Sequence, residues 1–175
     1  MIVGIDPGLG GCTVVLNRDG TVFKIIPHSH TPTDIWNYLK GGTGEDSAFV
    51  VDYAAIEQVH GVKGWNANAS NKLMFQFGTM FGMLTALECR IELVTPPKWM
   101  STMHCLTGGD KNISKTMAGR LFPGVSVTLT NADALLIAEY ARRRAIELGL
   151  IHVSPLPVYY EQEAAVAKPT MVRRK

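Results

Sequence analysis

Short apolar runs separated by turn residues dominate the first third of the chain, and longer apolar-rich segments follow. Because the short runs are rich in β-branched residues, they predict strands. The predicted strands cover Ile2–Asp6, Cys12–Leu16, 21–26, 49–51 continued by 54–59, and 91–94. An Asp-Gly turn at 19–20 joins the second strand to the third. The first three strands are therefore expected to form an antiparallel meander.

Helical periodicity and helix-start residues mark the longer segments. The predicted helices cover 34–39, 72–90, 96–105, Lys111–Leu121 and 131–148, and residues 60–70 are predicted as a loop. Strands come first, helices follow, and one strand lies between helices. This order predicts an α/β domain with a mixed five-stranded sheet flanked by helices. We expect the domain to span 1–150 and residues 151–175 to form a loosely ordered tail.

Composition limits the classes of protein to consider. The chain has 175 residues, 46% of them hydrophobic, and a formal net charge of +2. This length suits one domain with a substantial core, and the small charge does not by itself indicate nucleic-acid binding. Cys12, Cys89 and Cys105 lack metal-ligand spacing and are expected to be reduced thiols of a cytoplasmic protein. No signal-peptide pattern opens the chain and no apolar run could span a bilayer, so no membrane partner is expected.

Three acidic residues lie beside apolar segments. Asp6 ends the first predicted strand, Glu57 lies near the end of the fourth, and Asp133 lies in the first turn of the last helix. Carboxylates on two strands and a helix can converge at one sheet edge, where they repel one another unless a divalent cation neutralises them. Mg²⁺ prefers such oxygen ligands. Two such ions about 3.5–4 Å apart could activate a water and stabilise the leaving oxygen of a phosphodiester.

Each carboxylate also has an explanation without catalysis. Asp6 before Pro-Gly fits an ordinary turn, and Glu57 at a strand end fits a surface position. Thr130 to Asp133 reads as a capping box, with Thr130 as the N-cap of the last helix. These alternatives stay open for each residue alone. The three residues considered together favour a functional site.

Three segments, GIDPGLGG, DYAAIEQV and NADALLIAEYARR, occur in this order and contain the three carboxylates. Together they resemble the RuvC-type Holliday-junction resolvases, especially their phage-borne members, over about residues 1–148. The resemblance implies a ribonuclease-H-like fold and a homodimer that binds four-way DNA junctions during recombination and repair. It implies hydrolysis that depends on Mg²⁺, with Mn²⁺ as a substitute, and paired symmetric nicks that leave 5′-phosphate ends. Asp6, Glu57 and Asp133 match the family's acidic metal-ligand positions.

One family position is substituted. The resemblance implies a fourth ligand, Asp or His, three residues before the last aspartate, and Thr130 stands there. Thr130 is a poor metal ligand, and Asn131 is the next candidate through its amide oxygen. The substitution supports an alternative in which the protein binds junctions or other branched DNA and cleaves weakly or not at all.

The resemblance also implies DNA contacts. His60 occupies the position of a family aromatic residue that stacks at the junction centre, and Trp65 follows in the same loop. Lys115 matches a family lysine that holds phosphate near the scissile bond, so we expect it to take part in catalysis. The basic residues expected to contact DNA are Lys63, Lys98, Lys111, Lys115 and Arg120. The alternatives are that Trp65 packs against its own loop and that the basic residues form a solvated helix face.

Two glycines on the long predicted helix concern assembly. Gly78 and Gly82, spaced Gly-x-x-x-Gly among Met and Phe, leave a smooth patch for close backbone approach. Packing against the sheet is the ordinary role of such a patch. The resemblance implies that the equivalent helix carries the family's dimer interface, so we expect the patch to serve dimerisation in part.

Other functions start from similar sequence features. A strand, an Asp-x-Gly turn and a second strand also open the actin-like sugar kinases and ATPases. That class needs a second phosphate loop and an adenosine-binding glycine motif, and this chain is too short to hold them. Flaps, replication forks and branched packaging DNA stay open as alternative substrates.

Overall fold

A five-stranded mixed sheet forms the centre of the computed structural model, which describes residues 1–41, 50–59, 66–106 and 108–152. The strands are β1 (Ile2–Asp6), β2 (Cys12–Leu16), β3 (Val22–Pro27), β4 (Tyr53–Glu57) and β5 (Arg90–Val94). Their order across the sheet is β3-β2-β1-β4-β5. The first three strands pair antiparallel, whereas β4 runs parallel to both β1 and β5. The predicted meander and the predicted mixed sheet are confirmed.

Five helices lie in the described residues: α1 (Pro32–Leu39), α2 (Ala67–Ala86), α3 (Pro96–Thr102), α4 (Lys111–Leu121) and α5 (Ala132–Glu147). Several begin at side-chain caps. Thr31 and Asp34 form a capping box at α1, and Asp110 accepts a hydrogen bond from the backbone N–H of Asn112 at α4. The predicted bounds of α2, 72–90, are wrong at both ends, since the helix ends at Ala86 and Arg90 belongs to β5. Asn66 caps this helix through the N–H of Asn68, so the end of the predicted loop is helical.

The two faces of the sheet are covered by different helices. Ile2, Val14 and Ala55 point to the face covered by α3, α4 and α5. Val3 and Ile5, which alternate with them along β1, point to the face covered by α1 and α2. The residues of α5 that face the sheet are fully buried. Residues at even positions of β1 therefore point toward α5.

Helix α5 lies unusually close to β1. A Cβ atom at Gly4 would come within 2.2 Å of the backbone nitrogen of Ala138, a distance that real Cβ atoms essentially never show. Only glycine allows this approach, because any side chain would push the helix away from the sheet. Gly4 is two residues before Asp6 and Ala138 is five residues after Asp133. The contact therefore sets the distance between two of the candidate carboxylates.

The Gly78 and Gly82 patch does not pack against the sheet, so that part of the prediction is wrong. Helix α2 contacts the core through Met80 and Leu84. Both glycines are exposed, and a Cβ atom at either would meet nothing within 4 Å. The smooth patch therefore faces away from the core of its own chain.

The C-terminal boundary and the cysteines complete the fold. Ile151 is buried in the core beneath α5, and residues 153–175 of the predicted tail lie outside the described residues. The three cysteines are free thiols, with Cys12 and Cys105 buried and Cys89 half-buried. Over the four described ranges, no helix is both long enough and apolar enough to cross a membrane.

Candidate active site

Asp6 and Glu57 end neighbouring parallel strands at the same edge of the sheet. Ile5 of β1 pairs with Ile56 of β4, and each carboxylate is the next residue along its strand. Ile5 and Ile56 both point to the α1 and α2 side. Because side chains alternate along a strand, Asp6 and Glu57 both point to the side of α5. Parallel strands about 4.8 Å apart therefore present two carboxylates side by side.

Asp133 approaches the same place from the first turn of α5. Its charge interacts with that of Asp6, and the charge of Glu57 interacts with both Asp6 and Asp133. The structure therefore brings the three predicted carboxylates together. All three are half-buried, so their repulsion is weakly screened by water.

Glu57 is held by an indole. Trp99 on α3 is completely buried, and its Nε1–H donates to Glu57 Oε2 at 2.7 Å. Burial raises the pKa of Glu57 to about 7; the Trp99 hydrogen bond lowers it, and the charges of Asp6 and Asp133 raise it further. An ionised Glu57 is thus costly in this position unless a positive charge is near.

Asp133 lies in a similarly dry environment. Burial raises its pKa, the nearby Ser114 hydroxyl of α4 opposes this rise, and the charge of Asp6 adds to it. Ser114 is close but not in hydrogen-bond geometry, because neither Ser114 Oγ nor Asp133 Oδ1 has a hydrogen-bond partner among the described residues. A buried carboxylate oxygen without a partner is destabilising, and a ligand could relieve this cost.

Asp6 is held by the turn that follows it. The backbone N–H of Gly8 donates to Asp6 Oδ1 at 3.0 Å, and the N–H of Gly11 donates to the Gly8 carbonyl at 2.8 Å. A Cβ atom at Gly11 would lie 2.2 Å from the Asp6 carbonyl oxygen, so this glycine is required by the close turn. Gly10 has open space around it. The ordinary turn role of Asp6 is therefore observed, and it leaves the residue available as a candidate functional carboxylate.

Asp6, Glu57 and Asp133 have the ligand atoms that Mg²⁺ prefers, but their side chains are not arranged around one point. Three carboxylates, two with raised pKa values and one with an unpartnered buried oxygen, are the donor set that a hard cation stabilises. Within the described part of the chain, however, no group of three or more His, Cys, Asp and Glu side chains is placed to hold one metal ion.

Thr130 and Asn131, the candidates for a fourth ligand, lie at the start of α5. Thr130 is exposed and precedes α5, whose N-cap is Asn131, so the predicted capping box is wrong. Asn131 makes no side-chain cap bond either. Its Oδ1 accepts from the Thr128 N–H at 2.8 Å and its Nδ2 donates to the Ser126 carbonyl at 3.1 Å. The amide oxygen of Asn131 is thus already used to hold the loop before the helix.

The predicted basic residues differ in their relation to the carboxylates. Lys111, in the first turn of α4, interacts electrostatically with both Glu57 and Asp133 and lowers their pKa values. Lys115 and Arg120 are exposed further along α4, and no described interaction links them to the carboxylates. Lys98 instead forms an ion pair with Glu92, at 2.6 Å. His60, Lys63 and Trp65 lie outside the described residues.

Three buried polar residues near the site were not predicted from the sequence: Trp99, Ser114 and His28. Trp99 and Ser114 lie at buried positions of helices, where the hydrophobic pattern marks them only as core. His28 follows β3 and contacts the turn after Asp6. Burial lowers its pKa. One sequence feature could have indicated these residues. It is a polar side chain at a position where the hydrophobic pattern predicts core.

Comparisons with known proteins relate this fold to solved structures. No protein-family model matches the chain, and no curated protein does. Two matching structures are of RuvC from Thermus thermophilus, one of them in complex with a Holliday junction substrate. Each comparison covers 86% of this chain and 98% of the other with a TM-score of 0.56, at 13% identity for the complex and 15% for the second structure. The chain therefore has the ribonuclease-H-like fold that these RuvC structures have.

Proposed function

We propose that this chain is a metal-dependent, structure-selective DNA endonuclease that resolves four-way junctions by paired symmetric nicks leaving 5′-phosphate ends. The observation that carries the proposal is the mutual electrostatic interaction of Asp6, Glu57 and Asp133 at one sheet edge. A RuvC-like fold supports it, since one RuvC structure of that fold contains a Holliday junction substrate. The three motifs favour a phage-borne type of resolvase, acting in recombination and repair.

In this proposal the three carboxylates hold divalent cations. Asp6 is central, with Glu57 beside it on the sheet and Asp133 above it on α5, so it would share ions with both. Two Mg²⁺ ions, or Mn²⁺ in their place, would supply the positive charge and Lewis acidity that phosphodiester hydrolysis needs. Trp99 orients Glu57, the Gly8 N–H orients Asp6, and the dry surroundings strengthen each electrostatic contact.

Positive residues near this edge would contact the DNA backbone. Lys111 is placed to offset phosphate charge next to the carboxylates, and the exposed Lys115 and Arg120 extend the basic surface along α4. A catalytic role for Lys115 stays a prediction, as do DNA contacts by His60, Lys63, Trp65 and Lys98. The ion pair with Glu92 would have to open before Lys98 could contact a phosphate.

Paired nicks on a symmetric junction require two copies of the chain. Helix α2 offers a surface for this assembly, because Met74, Phe75 and Phe81 are exposed beside Gly78 and Gly82. Phe75 alone is 72% exposed, which is unusual for a large aromatic side chain. We propose that a second copy covers this apolar face and that the protein is a homodimer.

The test is cleavage of an end-labelled, immobile four-way junction with Mg²⁺ and then Mn²⁺. The wild-type protein is compared with Asp6→Asn and with Glu88→Gln, an exposed carboxylate that precedes β5 at the opposite edge of the sheet. The proposal predicts paired symmetric nicks that disappear in Asp6→Asn and persist in Glu88→Gln. Nicks that persist in Asp6→Asn, or equal cleavage of linear duplex, would contradict it.

A second candidate is a branched-DNA-binding protein that cleaves weakly or not at all. The observation that favours it is the missing fourth ligand: Thr130 is exposed outside α5, and the amide oxygen of Asn131 is bound to the loop. Tight binding of the junction without nicks in either metal would support this candidate. Thr130→Asp would then place a carboxylate three residues before Asp133, and a gain of cleavage in that variant would identify the substitution as the cause.

A further inference from the structure

His28 is a buried polar residue that has no role in the proposed hydrolysis. It follows β3 and is 9% exposed. Both of its ring nitrogens meet polar atoms: Nε2 lies 2.9 Å from Thr13 Oγ1, and Nδ1 lies 3.2 Å from the carbonyl oxygen of Gly8. The ring therefore bridges β2 to the turn after Asp6.

The chemistry of the two partners fixes the form of the ring. A carbonyl oxygen only accepts hydrogen bonds, so Nδ1 must carry the proton that it donates to Gly8. In the neutral ring Nε2 is then an acceptor, so the hydroxyl of Thr13 donates to it at 2.9 Å rather than to the more distant Met80 Sδ at 4.0 Å. The Nδ1–H tautomer satisfies both contacts, whereas the Nε2–H tautomer leaves the Gly8 contact without a donor.

Gly8 links this ring to the candidate active site. Its carbonyl accepts hydrogen bonds from His28 and from the Gly11 N–H, while its own N–H donates to Asp6 Oδ1 at 3.0 Å. We infer that His28 is a positioning residue that holds the turn over residues 6–11, and through it the Asp6 carboxylate, in the geometry that binds metal. This inference rests on the proposed function.

A purely structural role for His28 gives different expectations. If the ring only filled a buried polar space, its removal would lower stability and leave the metal affinity of the folded protein unchanged. A positioning role predicts weaker metal binding even where the protein is folded. Groups that orient metal ligands typically change metal affinity by about 10–100-fold when removed.

The experiment compares His28→Leu, which removes both polar contacts, with His28→Asn, whose amide N–H can still donate to Gly8. His30→Leu is the matched control, since His30 is exposed two residues later. Mg²⁺ binding is measured by calorimetry without DNA, and amide exchange of Gly8 and Gly11 by NMR, at a temperature where all variants are folded. We expect about tenfold weaker binding and faster exchange in His28→Leu, substantial recovery in His28→Asn and no change in His30→Leu.

Several results would overturn the inference. They are unchanged Mg²⁺ affinity in folded His28→Leu, unchanged exchange of the Gly8 amide, a neutral His28 ring protonated on Nε2 in the NMR spectrum, or a wild-type protein that binds no Mg²⁺. Failure of the proposed function looks different. A wild-type protein that binds Mg²⁺ and leaves the junction intact would reject the nuclease, while the metal titration would still decide the role of His28.

Discussion

Individual side chains around the carboxylates decide how the candidate site can be charged. Burial raises the pKa values of both Glu57 and Asp133, and the charge of Asp6 adds to this effect in each case. Lys111 acts in the opposite direction on both. The site thus contains more negative charge than its surroundings stabilise, and one lysine supplies part of the compensation. A cation or a protonated carboxyl must supply the rest.

This balance predicts that Lys111, rather than Lys115, is the lysine on which cleavage depends. Lys111→Gln removes the charge that interacts with Glu57 and Asp133, whereas Lys115 has no described interaction with either carboxylate. We expect Lys111→Gln to slow cleavage by on the order of tenfold or more at saturating DNA, and Lys115→Gln to slow it less. Single-turnover cleavage rates measure both. If Lys115→Gln slowed cleavage more than Lys111→Gln, Lys115 rather than Lys111 would be the lysine on which cleavage depends.

The close contact between β1 and α5 makes any side chain at Gly4 destabilising. A Cβ atom at Gly4 would lie 2.2 Å from a backbone atom of Ala138, so Gly4→Ala must displace the helix that carries Asp133. Overpacking of this kind costs about 1–3 kcal/mol of unfolding free energy. Urea unfolding measures this loss, with Gly10→Ala as control because its added methyl group meets nothing within 4 Å. Equal urea midpoints for Gly4→Ala and the wild type would show that α5 can move without cost.

Glu92 joins four elements and predicts how stability responds to acid. Burial would raise its pKa, but hydrogen bonds from Lys98, Tyr140 and Tyr53 prevail and lower it from 4.5 to about 2. Because the folded pKa is below the unfolded one, the stabilisation is complete above pH 4.5 and is lost as pH falls toward 2.

Glu92→Gln tests this stabilisation, with Glu88→Gln as the control at an exposed position. Urea midpoints are measured between pH 7 and pH 2. The stability difference between wild type and Glu92→Gln should be largest at neutral pH and should shrink below about pH 4.5. A difference that stays constant over this range would mean that the charge of Glu92 contributes nothing to folding.

Elements were predictable where one local pattern determines them. Short apolar runs rich in β-branched residues identify β1 and β2, and α4 has the predicted bounds because Asp110 caps it. The predicted start of α5 lies within one residue of the observed start, but its cap was not predictable from the Thr130 to Asp133 pattern, since the loop before the helix holds Asn131 through Thr128 and Ser126. The roles of Trp99 and His28 were not predictable for a similar reason. Their hydrogen bonds to Glu57 and Gly8 join segments far apart in sequence, and no local pattern records such pairs.

Among the described residues, an apolar face of helix α2 is left uncovered. Met74, Phe75 and Phe81 are exposed on α2, and neither Gly78 nor Gly82 meets another group of the described structure. Such patches on soluble proteins commonly mark interaction sites. In a symmetric dimer each copy would bury this face against the same face of the other copy. The dimer would then bring two carboxylate sites to one junction.

Phe75→Glu tests this assembly, because a charge at the most exposed aromatic position of the face would be buried against its symmetry mate. We expect light scattering to give twice the 19.1 kDa chain mass for the wild type and the single chain mass for the variant. Phe23→Glu, at an exposed position of β3, should stay dimeric. The monomeric variant should then nick the two strands of a junction independently rather than in pairs. A dimeric Phe75→Glu protein would place the interface elsewhere, and the exposed face of α2 would need another partner.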